Sequence, residues 1–367
     1  MVKLFAFIFF LLLFTAANGS EDSCEKTEKF RLRGVALRLE NDAFAKTDRN
    51  YSHGLAISLV SRDIKNYSQT ACLPFPLRIH SRLTTFLTPV FWAPEESDLQ
   101  PHTVLVNLGQ AMYTPGDPFR KNVIVNDRPY AGIIYVGMAL NQRHTLPESS
   151  FEVFDSREIT LGVIGPVSFA RETQNFVHDI FGDTRFLGWD NQLSNEPAFG
   201  LSLEKKFKKF KGTESITPGF TYDIINAIGL QLGNIETSAN YEIEGRVGWN
   251  LPNNFGSFAI RPGEESRAPE LGVNDNDSSN ATGIHFFTIL GIKLVGYDFS
   301  LDGNIFQKSH HVTRRPWVTF GAVGIGLPTL LKRRRYNLSL MHVYRSGEFE
   351  EQESTHSYRS VGLSVEF

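Results

Sequence analysis

About twelve segments of this chain alternate apolar and polar side chains over roughly ten residues each, with turn residues between them. Alternation with a period of two describes a strand with two unlike faces. No apolar run after the first twenty residues reaches the ~20 residues that a spanning helix needs. A chain built this way folds either as a sandwich in water or as a closed barrel in a membrane. The segments run 30–40, 54–61, 103–110, 131–140, 151–162, 199–207, 219–230, 239–249, 284–299, 317–326, 336–344 and 357–367.

The last segment favours the barrel. Tyr358, Val361, Leu363, Val365 and the final Phe367 place apolar groups on mostly alternate positions, with Arg359, Ser360, Ser364 and Glu366 between them. An amphipathic strand that stops on an aromatic residue looks like the C-terminal signal of outer-membrane barrels. The even count also returns both termini to one side, as single-chain bacterial barrels require. The competing architecture is a soluble sandwich with this segment at its edge.

Strand parity has a chemical consequence. Hairpin-connected strands run antiparallel, so all connections from an odd strand to an even one fall at the same end of the sheet. Three polar clusters occupy such places: Glu40-Asn41-Asp42 with Asp48-Arg49-Asn50-Tyr51-Ser52-His53-Gly54, then Asp127-Arg128-Pro129-Tyr130-Ala131-Gly132, then Gln174 with His178. Distant in sequence, they converge in space. Two connections at the opposite end, 62–102 with five prolines and 251–283 rich in Gly, Asn, Asp and Ser, are long for periplasmic turns. Each is an insertion or hides a further strand pair.

The N-terminus sets the compartment. Lys3 precedes an apolar run from Leu4 to Phe14, and small residues follow, with Ala17 and Gly19 at the minus-three and minus-one positions of a cleavage site. Residues 1–19 read as a signal peptide and 20–367 as one barrel domain. Cys24 and Cys72 then lie where disulfides persist and can form a single bridge. A net charge of −3 supplies no basic field for nucleic acid, and nothing points to a protein partner. The basic runs 205–211 and 332–335 read as solvated or headgroup-facing. His310-His311 reads as a loop pair, because neighbours on a strand point to opposite faces.

Between Gly165-Pro166 and Phe181-Gly182, the residues Phe169, Thr173, Phe176, Val177 and Ile180 recur at helical spacing. The expected fold is therefore all-β: a transmembrane antiparallel barrel of about twelve strands with a short helix in an extracellular loop. Gln174 and His178 are four apart and share a face of that helix. An imidazole with an ordinary pKa of about 6.5 takes a proton from water near neutrality, and ester hydrolysis needs such a base, or a nucleophile with its base. A lone His near a helix end more often only braces a loop. Asn41 and Asp42 offer an amide carbonyl and a carboxylate, which suit a hard cation; after a strand they also read as a plain turn. Ser52 is a hydroxyl beside them. Asp48 and Asp127 each precede an arginine and read first as loop braces. Arg49 and Arg128 have the geometry for phosphates or acidic sugars at low specificity.

These clusters, with Gly109-Gln110, Tyr113-Thr114-Pro115, Leu161-Gly162, Gly165-Pro166, Gly188-Trp189-Asp190-Asn191-Gln192-Leu193, Asn195-Glu196-Pro197, Leu301-Asp302-Gly303-Asn304 and Glu348-Phe349 with Gln352, resemble the lipid A 3′-O-deacylase family of outer-membrane β-barrels. The resemblance spans about 35–367; no single motif carries it, but their order does. It implies a twelve-stranded barrel in the bacterial outer membrane, with an active site on the extracellular side between the wall and a short helix. It implies Ca²⁺-dependent hydrolysis of the ester joining the 3′ acyloxyacyl chain to lipid A of lipopolysaccharide. His178 matches the general base acting on water, with Gln174 beside it. Asn41 and Asp42 match an active-site pair that would hold the Ca²⁺, and Ser52 a hydroxyl that orients water or donates to the oxyanion. No lysine of this chain aligns with the one that the family places near the active site; Ala111 or a neighbour stands near its place. Two alternatives remain: an outer-membrane phospholipase with the same chemistry, and a pore or surface barrel with none.

Overall fold

Every one of the twelve expected strands is present, and they close on themselves. The computed structural model describes residues 31–42, 50–62, 75–85, 102–146, 151–209, 214–217, 219–256, 282–331, 334–352 and 355–367. The barrel strands are β1 (Leu32–Asn41), β2 (Asn50–Ser61), β3 (Thr103–Thr114), β4 (Ala131–Leu146), β5 (Phe151–Ile164), β6 (Glu196–Lys209), β7 (Phe220–Gly233), β8 (Glu236–Trp249), β9 (Ile284–Asp298), β10 (Trp317–Leu331), β11 (Arg334–Arg345) and β12 (His356–Glu366). Each pairs antiparallel with its neighbours in sequence, and β1 pairs with β12 from Gly34 opposite Glu366 to Asn41 opposite Arg359. Among the described residues three α-helices lie outside the sheet: α1 (Phe75–Thr85), α2 (Ala170–Phe181) and the single turn α3 (Phe299–Asp302).

The alternation is inverted relative to a soluble sheet. Along β8, Glu236, Ser238, Asn240, Glu242, Glu244 and Arg246 are buried in the lumen, while Tyr241, Ile243 and Trp249 face out and are exposed. β9 repeats the pattern, with His285 and Lys293 inside and Phe286, Leu290, Ile292 and Leu294 outside. The lumen charges are paired: Lys293 Nζ lies 3.1 Å from Glu236 Oε2, and Arg143 Nη2 2.7 Å from Glu152 Oε1. Apolar residues outside and paired polar ones inside are what a wall in hydrocarbon requires. A sandwich would have the faces reversed.

Parity holds as expected. The connections β1–β2, β3–β4, β5–β6, β7–β8, β9–β10 and β11–β12 share one end, termed here the motif rim; the first and last described residues lie at the other, the terminal rim. Five strands extend three or more residues further toward the motif rim than their apolar pattern indicates: β2 begins at Asn50, β3 continues to Thr114, β6 begins at Glu196, β7 continues to Gly233 and β8 begins at Glu236. The added residues are mostly polar or small and meet the rim loops instead of lipid, so the alternation does not mark them. A short strand absent from the sequence reading, Glu214–Thr217, pairs with the start of β7 without crossing the wall. Among the described residues, neither long connection at the terminal rim holds a further strand pair; the first contains α1.

The lumen is filled at both ends. Near the motif rim Tyr51 packs against Tyr358 and Tyr113 at centroid distances of 5.0 and 5.5 Å, and Tyr113 against Phe299 at 5.5 Å. At the terminal rim the start of the β8–β9 connection, residues 250–256, folds back into the barrel. Phe255 stacks on Phe154 at 5.5 Å beneath the Lys208 ammonium, 4.8 Å from the ring. Lys206 Nζ donates to the Phe255 carbonyl (2.8 Å) and Lys208 Nζ to Asn253 Oδ1 (2.7 Å). This corrects the reading of the run 205–211 as solvated: alternation turns Lys206 and Lys208 into the lumen, where carboxylates and carbonyls bind them.

Arg246 ties this plug to the wall. Its guanidinium forks onto both carboxylate oxygens of Asp223 and also donates to the Asn254 side chain and carbonyl. Removing the carboxylate leaves a charge buried without its counterion, which costs about 3–5 kcal/mol. Asp223→Ala is therefore expected to lower the temperature at which the purified barrel loses its compact migration on a detergent gel, and to raise single-channel conductance in planar bilayers above a near-silent wild type.

Candidate active site on the outer face of the wall

Four polar residues at the motif rim point out of the barrel. Asn41 shares its face of β1 with the exposed Leu37, His53 its face of β2 with Ile57, and Thr114 its face of β3 with Leu108. Asn41 and His53 sit opposite each other across β1 and β2, with Asn41 Nδ2 3.5 Å from His53 Nδ1. A bulge between Tyr51 and His53 brings the Ser52 hydroxyl to Thr114 Oγ1, with which it shares a hydrogen bond. All four side chains are buried. On a lipid-facing wall such groups are costly unless something covers them.

The cover is α2. Gly132, the last residue of the Asp127–Gly132 cluster, permits its close approach: a Cβ there would lie 2.3 Å from both Ala170 Cβ and Ser168 Oγ. Gln110, also outward, donates through Nε2 to the Ser168 carbonyl. The helix buries Ala170, Gln174 and His178 and exposes Phe176, Ile180 and Phe181. It is amphipathic, as its spacing predicts, but turned with its polar face inward. That face brings the His178 imidazole within electrostatic reach of His53.

His178 is held in one tautomer. Its Nδ1 lies 2.6 Å from the Thr184 carbonyl, which only accepts, so Nδ1 carries the proton and Nε2 is the basic nitrogen. The chain reaches Thr184 through Gly182 at φ 73°, a left-handed C-cap that favours glycine, whose N–H returns to the His178 carbonyl. Arg185 then forks back onto Asp179, with Nε 2.7 Å from Oδ1, and holds that carboxyl below the usual carboxylate range. The His178 ring rests edge-on against Phe186 at 5.9 Å.

Gln174 is oriented in the same way. Trp189 Nε1–H donates to Gln174 Oε1 at 2.7 Å, and an indole can only donate. The amide nitrogen is thereby left as a buried donor with no hydrogen-bond partner among the described residues. Trp189 itself packs on Tyr130 at 5.0 Å within a cluster with Met112, Ala170 and Phe186. Burial pushes the Tyr130 phenol up to about 12, so it stays protonated at neutral pH and does not compete as a base.

Asp42 turns the other way. It is fully buried, with Oδ2 3.9 Å from His356 Nε2, and His356 shares the inward face of β12 with Tyr358. Asn41 and Asp42 thus look to opposite sides of the strand end. Arg128 is also buried, with Nη2 2.6 Å from Glu348 Oε2, while Arg345 Nη1 binds the other oxygen at 2.9 Å. Asp127 accepts the Gly116 and Arg128 N–H groups, and its carbonyl bonds the His310 ring. These residues brace the rim, and His310-His311 is a loop pair. Ala111 faces the lumen beside Tyr51 and Tyr113. Arg49, Asp48, Cys24, Cys72 and residues 1–19 lie outside the described residues.

Three members of the site had no role in the sequence reading: His53, Thr114 and Trp189. Each stands inside a matched motif, and a buried indole N–H needs an acceptor, so Trp189 carried a usable signal. For a metal, the oxygen donors on the outer side of this rim are the Asn41 amide and the Ser52 and Thr114 hydroxyls, hard groups suited to Ca²⁺ over Zn²⁺, while the expected second ligand, the Asp42 carboxylate, lies on the lumen side. Among the described residues no three His, Cys, Asp or Glu side chains converge. Because α2 is seated through Gly132, Gly132→Val is expected to lift the helix while the barrel stays closed. Limited proteolysis should then cut within 166–182 in the variant and spare the wild type, with heat-modifiable gel migration unchanged.

A family model described as outer membrane protein LpxR matches residues 4–367, nearly the whole chain. Among solved structures, LpxR from Salmonella typhimurium superposes with a TM-score of 0.63 at 16% identity, covering 91% of this chain and 100% of that one. The β domain of the Bordetella autotransporter BrkA is more distant, with a TM-score of 0.44 at 7% identity over 92% of this chain and 98% of that one. No curated protein matches the sequence. The match over almost every residue, on a closed twelve-stranded barrel with these rim motifs, places the chain in the family of the outer membrane protein LpxR.

Proposed function

We propose that the protein is an outer-membrane lipid A deacylase that hydrolyses the 3′-linked acyloxyacyl ester, with His178 as general base on water. The observation that carries this reading is the placement of Asn41, Ser52, His53 and Thr114 on the lipid side of the wall beneath the polar face of α2. A site in the lumen would serve a water-soluble substrate. A site on the outer face, beside the exposed Phe176, Ile180 and Phe181, is reached sideways from the membrane by a lipid. With the termini on the periplasmic side, the arrangement of single-chain barrels, the motif rim would face the extracellular side, where lipopolysaccharide resides.

In this mechanism His178 Nε2 takes a proton from water as its oxygen attacks the ester carbonyl, and the Thr184 carbonyl steadies the Nδ1–H of the resulting imidazolium. Gln174 Nε2, one helical turn away, donates to the carbonyl oxygen as negative charge builds on it. Ser52, hydrogen-bonded to Thr114, orients the water or adds a second donor. His178 then returns the proton to the departing 3′ oxygen. The products are the acyloxyacyl acid and a lipid A with a free 3′ hydroxyl. Of the expected pair of Ca²⁺ ligands only Asn41 lies on the site's side of the wall; its amide oxygen would help hold the ion, which would polarise the ester carbonyl, while Asp42 faces the lumen.

Mass spectrometry of lipid A from Gram-negative cells expressing the wild type is expected to show loss of the 3′ acyloxyacyl group. With purified protein, His178→Ala should lower the rate by about 10²–10⁴-fold while the barrel migrates normally. Unchanged lipid A alongside acids released from phospholipid would make the protein a phospholipase with the same base. A Ca²⁺ site built on neutral oxygen ligands belongs at the weak end of the range, with a Kd of about 10⁻⁴–10⁻³ M. Chelation should abolish hydrolysis and added Ca²⁺ should restore it with a midpoint in that range. A rate indifferent to chelator would remove the ion and leave the base standing.

A further inference from the structure

Near the terminal rim, β4 and β5 carry polar residues on the face that elsewhere meets lipid. Gly137 points into the lumen toward Glu158, so Gln142 and His144 on β4 point out. On β5, Asp155 and Arg157 share the outward face of Leu161. Asp155 is salt-bridged to Lys205 at 3.2 Å. Asp155 is only 1% exposed and Arg157 2%, although Leu161, further along the same face, is 57% exposed. Something covers this patch, and α1 is packed on it: the buried His80 ring lies against the backbone of Met138 and Arg157.

Phe75, Ile79 and Leu83, spaced by four, form an exposed stripe along the helix. Arg78 and Arg82, each one residue before a stripe member, flank it on the side away from His80, and the Arg78 guanidinium lies 5.9 Å over the Phe75 ring. A helix held on the lipid face of a barrel, with one face on the wall, an apolar stripe open and arginines along its edge, has the three-sided character of an interfacial helix.

We propose that α1 lies flat in the phospholipid leaflet on the side of the chain termini, with Phe75, Ile79 and Leu83 among the acyl chains and Arg78 and Arg82 at the phosphates. The occupant is phospholipid because the stripe lies on the outer side of the wall, the side on which Phe151 and Leu161 of β5 are exposed, and because the adjacent cations match the headgroup charge. The long β2–β3 connection thereby shields the outward polar patch and anchors that rim at the headgroup boundary.

The test uses the full chain with Cys24→Ser and Cys72→Ser, carrying an environment-sensitive fluorophore on Ile79→Cys or, in a separate protein, Leu83→Cys. Glu351→Cys, on an exposed loop of the motif rim, is the aqueous reference. Each is reconstituted in vesicles of phosphatidylethanolamine and phosphatidylglycerol with quencher on both sides of the bilayer. Labels at 79 and 83 are expected to be quenched several-fold more by nitroxide-bearing lipid than by a water-soluble quencher, with the reverse at 351. Equal quenching from water at 79, 83 and 351 would overturn the proposal. Self-quenching at 79 and 83 that grows with the protein-to-lipid ratio would also overturn it, and would assign the stripe to a second copy. Neither readout depends on ester hydrolysis, so this proposal and the deacylase reading fail separately.

Discussion

In hydrocarbon no backbone N–H or C=O can be left without a partner, and the pairing of β1 with β12 is what removes the last two open edges of this sheet. The other features follow from that closure. A closed antiparallel sheet has two ends and two faces, so strand parity assigns each connection to a rim and residue parity assigns each side chain to lumen or lipid. The lumen then has to absorb the polar half of every strand. It does so with ion pairs, an aromatic cluster at the motif rim, and the plug of residues 250–256 at the terminal rim. With its interior packed at both ends, the barrel acts as a wall, and chemistry that needs a lipid belongs on its outside.

Placing polar groups outside creates the problem that the rim loops solve. The clusters prominent in sequence divide into chemistry and scaffolding, and most are scaffolding. Glu196 accepts the N–H groups of Ile305 and Phe306, and Asn304 exchanges two hydrogen bonds with the Ser194 backbone. Arg128 joins the β3–β4 connection to Glu348 in the β11–β12 connection. These braces tie four loops into one rim. That rigidity lets α2 present Gln174 and His178 to the wall while its phenylalanines remain outside.

The helix shows where sequence reading stops. The spacing of Phe169, Thr173, Phe176, Val177 and Ile180 identifies α2, but a moment on a helix has no sign until its surroundings are known. In water those residues would be the buried face. Here the buried face is Ala170, Gln174 and His178. The lysines of β6 mislead in the same way: a basic run looks solvated, yet alternation sends Lys206 and Lys208 to carboxylates and carbonyls in the lumen.

By itself the sequence determined the number of strands, the end at which the motifs gather, the presence of a helix between β5 and β6 and the family of the chain. These rest on local periodicity and on counting, which survive without knowledge of contacts. Only the tertiary structure decided that Asn41 faces the lipid side with His53 while Asp42 faces the lumen with His356, that Thr184 and Trp189 set the orientation of His178 and Gln174, and that Arg128 is a brace. Those assignments depend on a bulge, a left-handed glycine and cross-loop hydrogen bonds. Each joins residues whose separation along the chain carries no local signal.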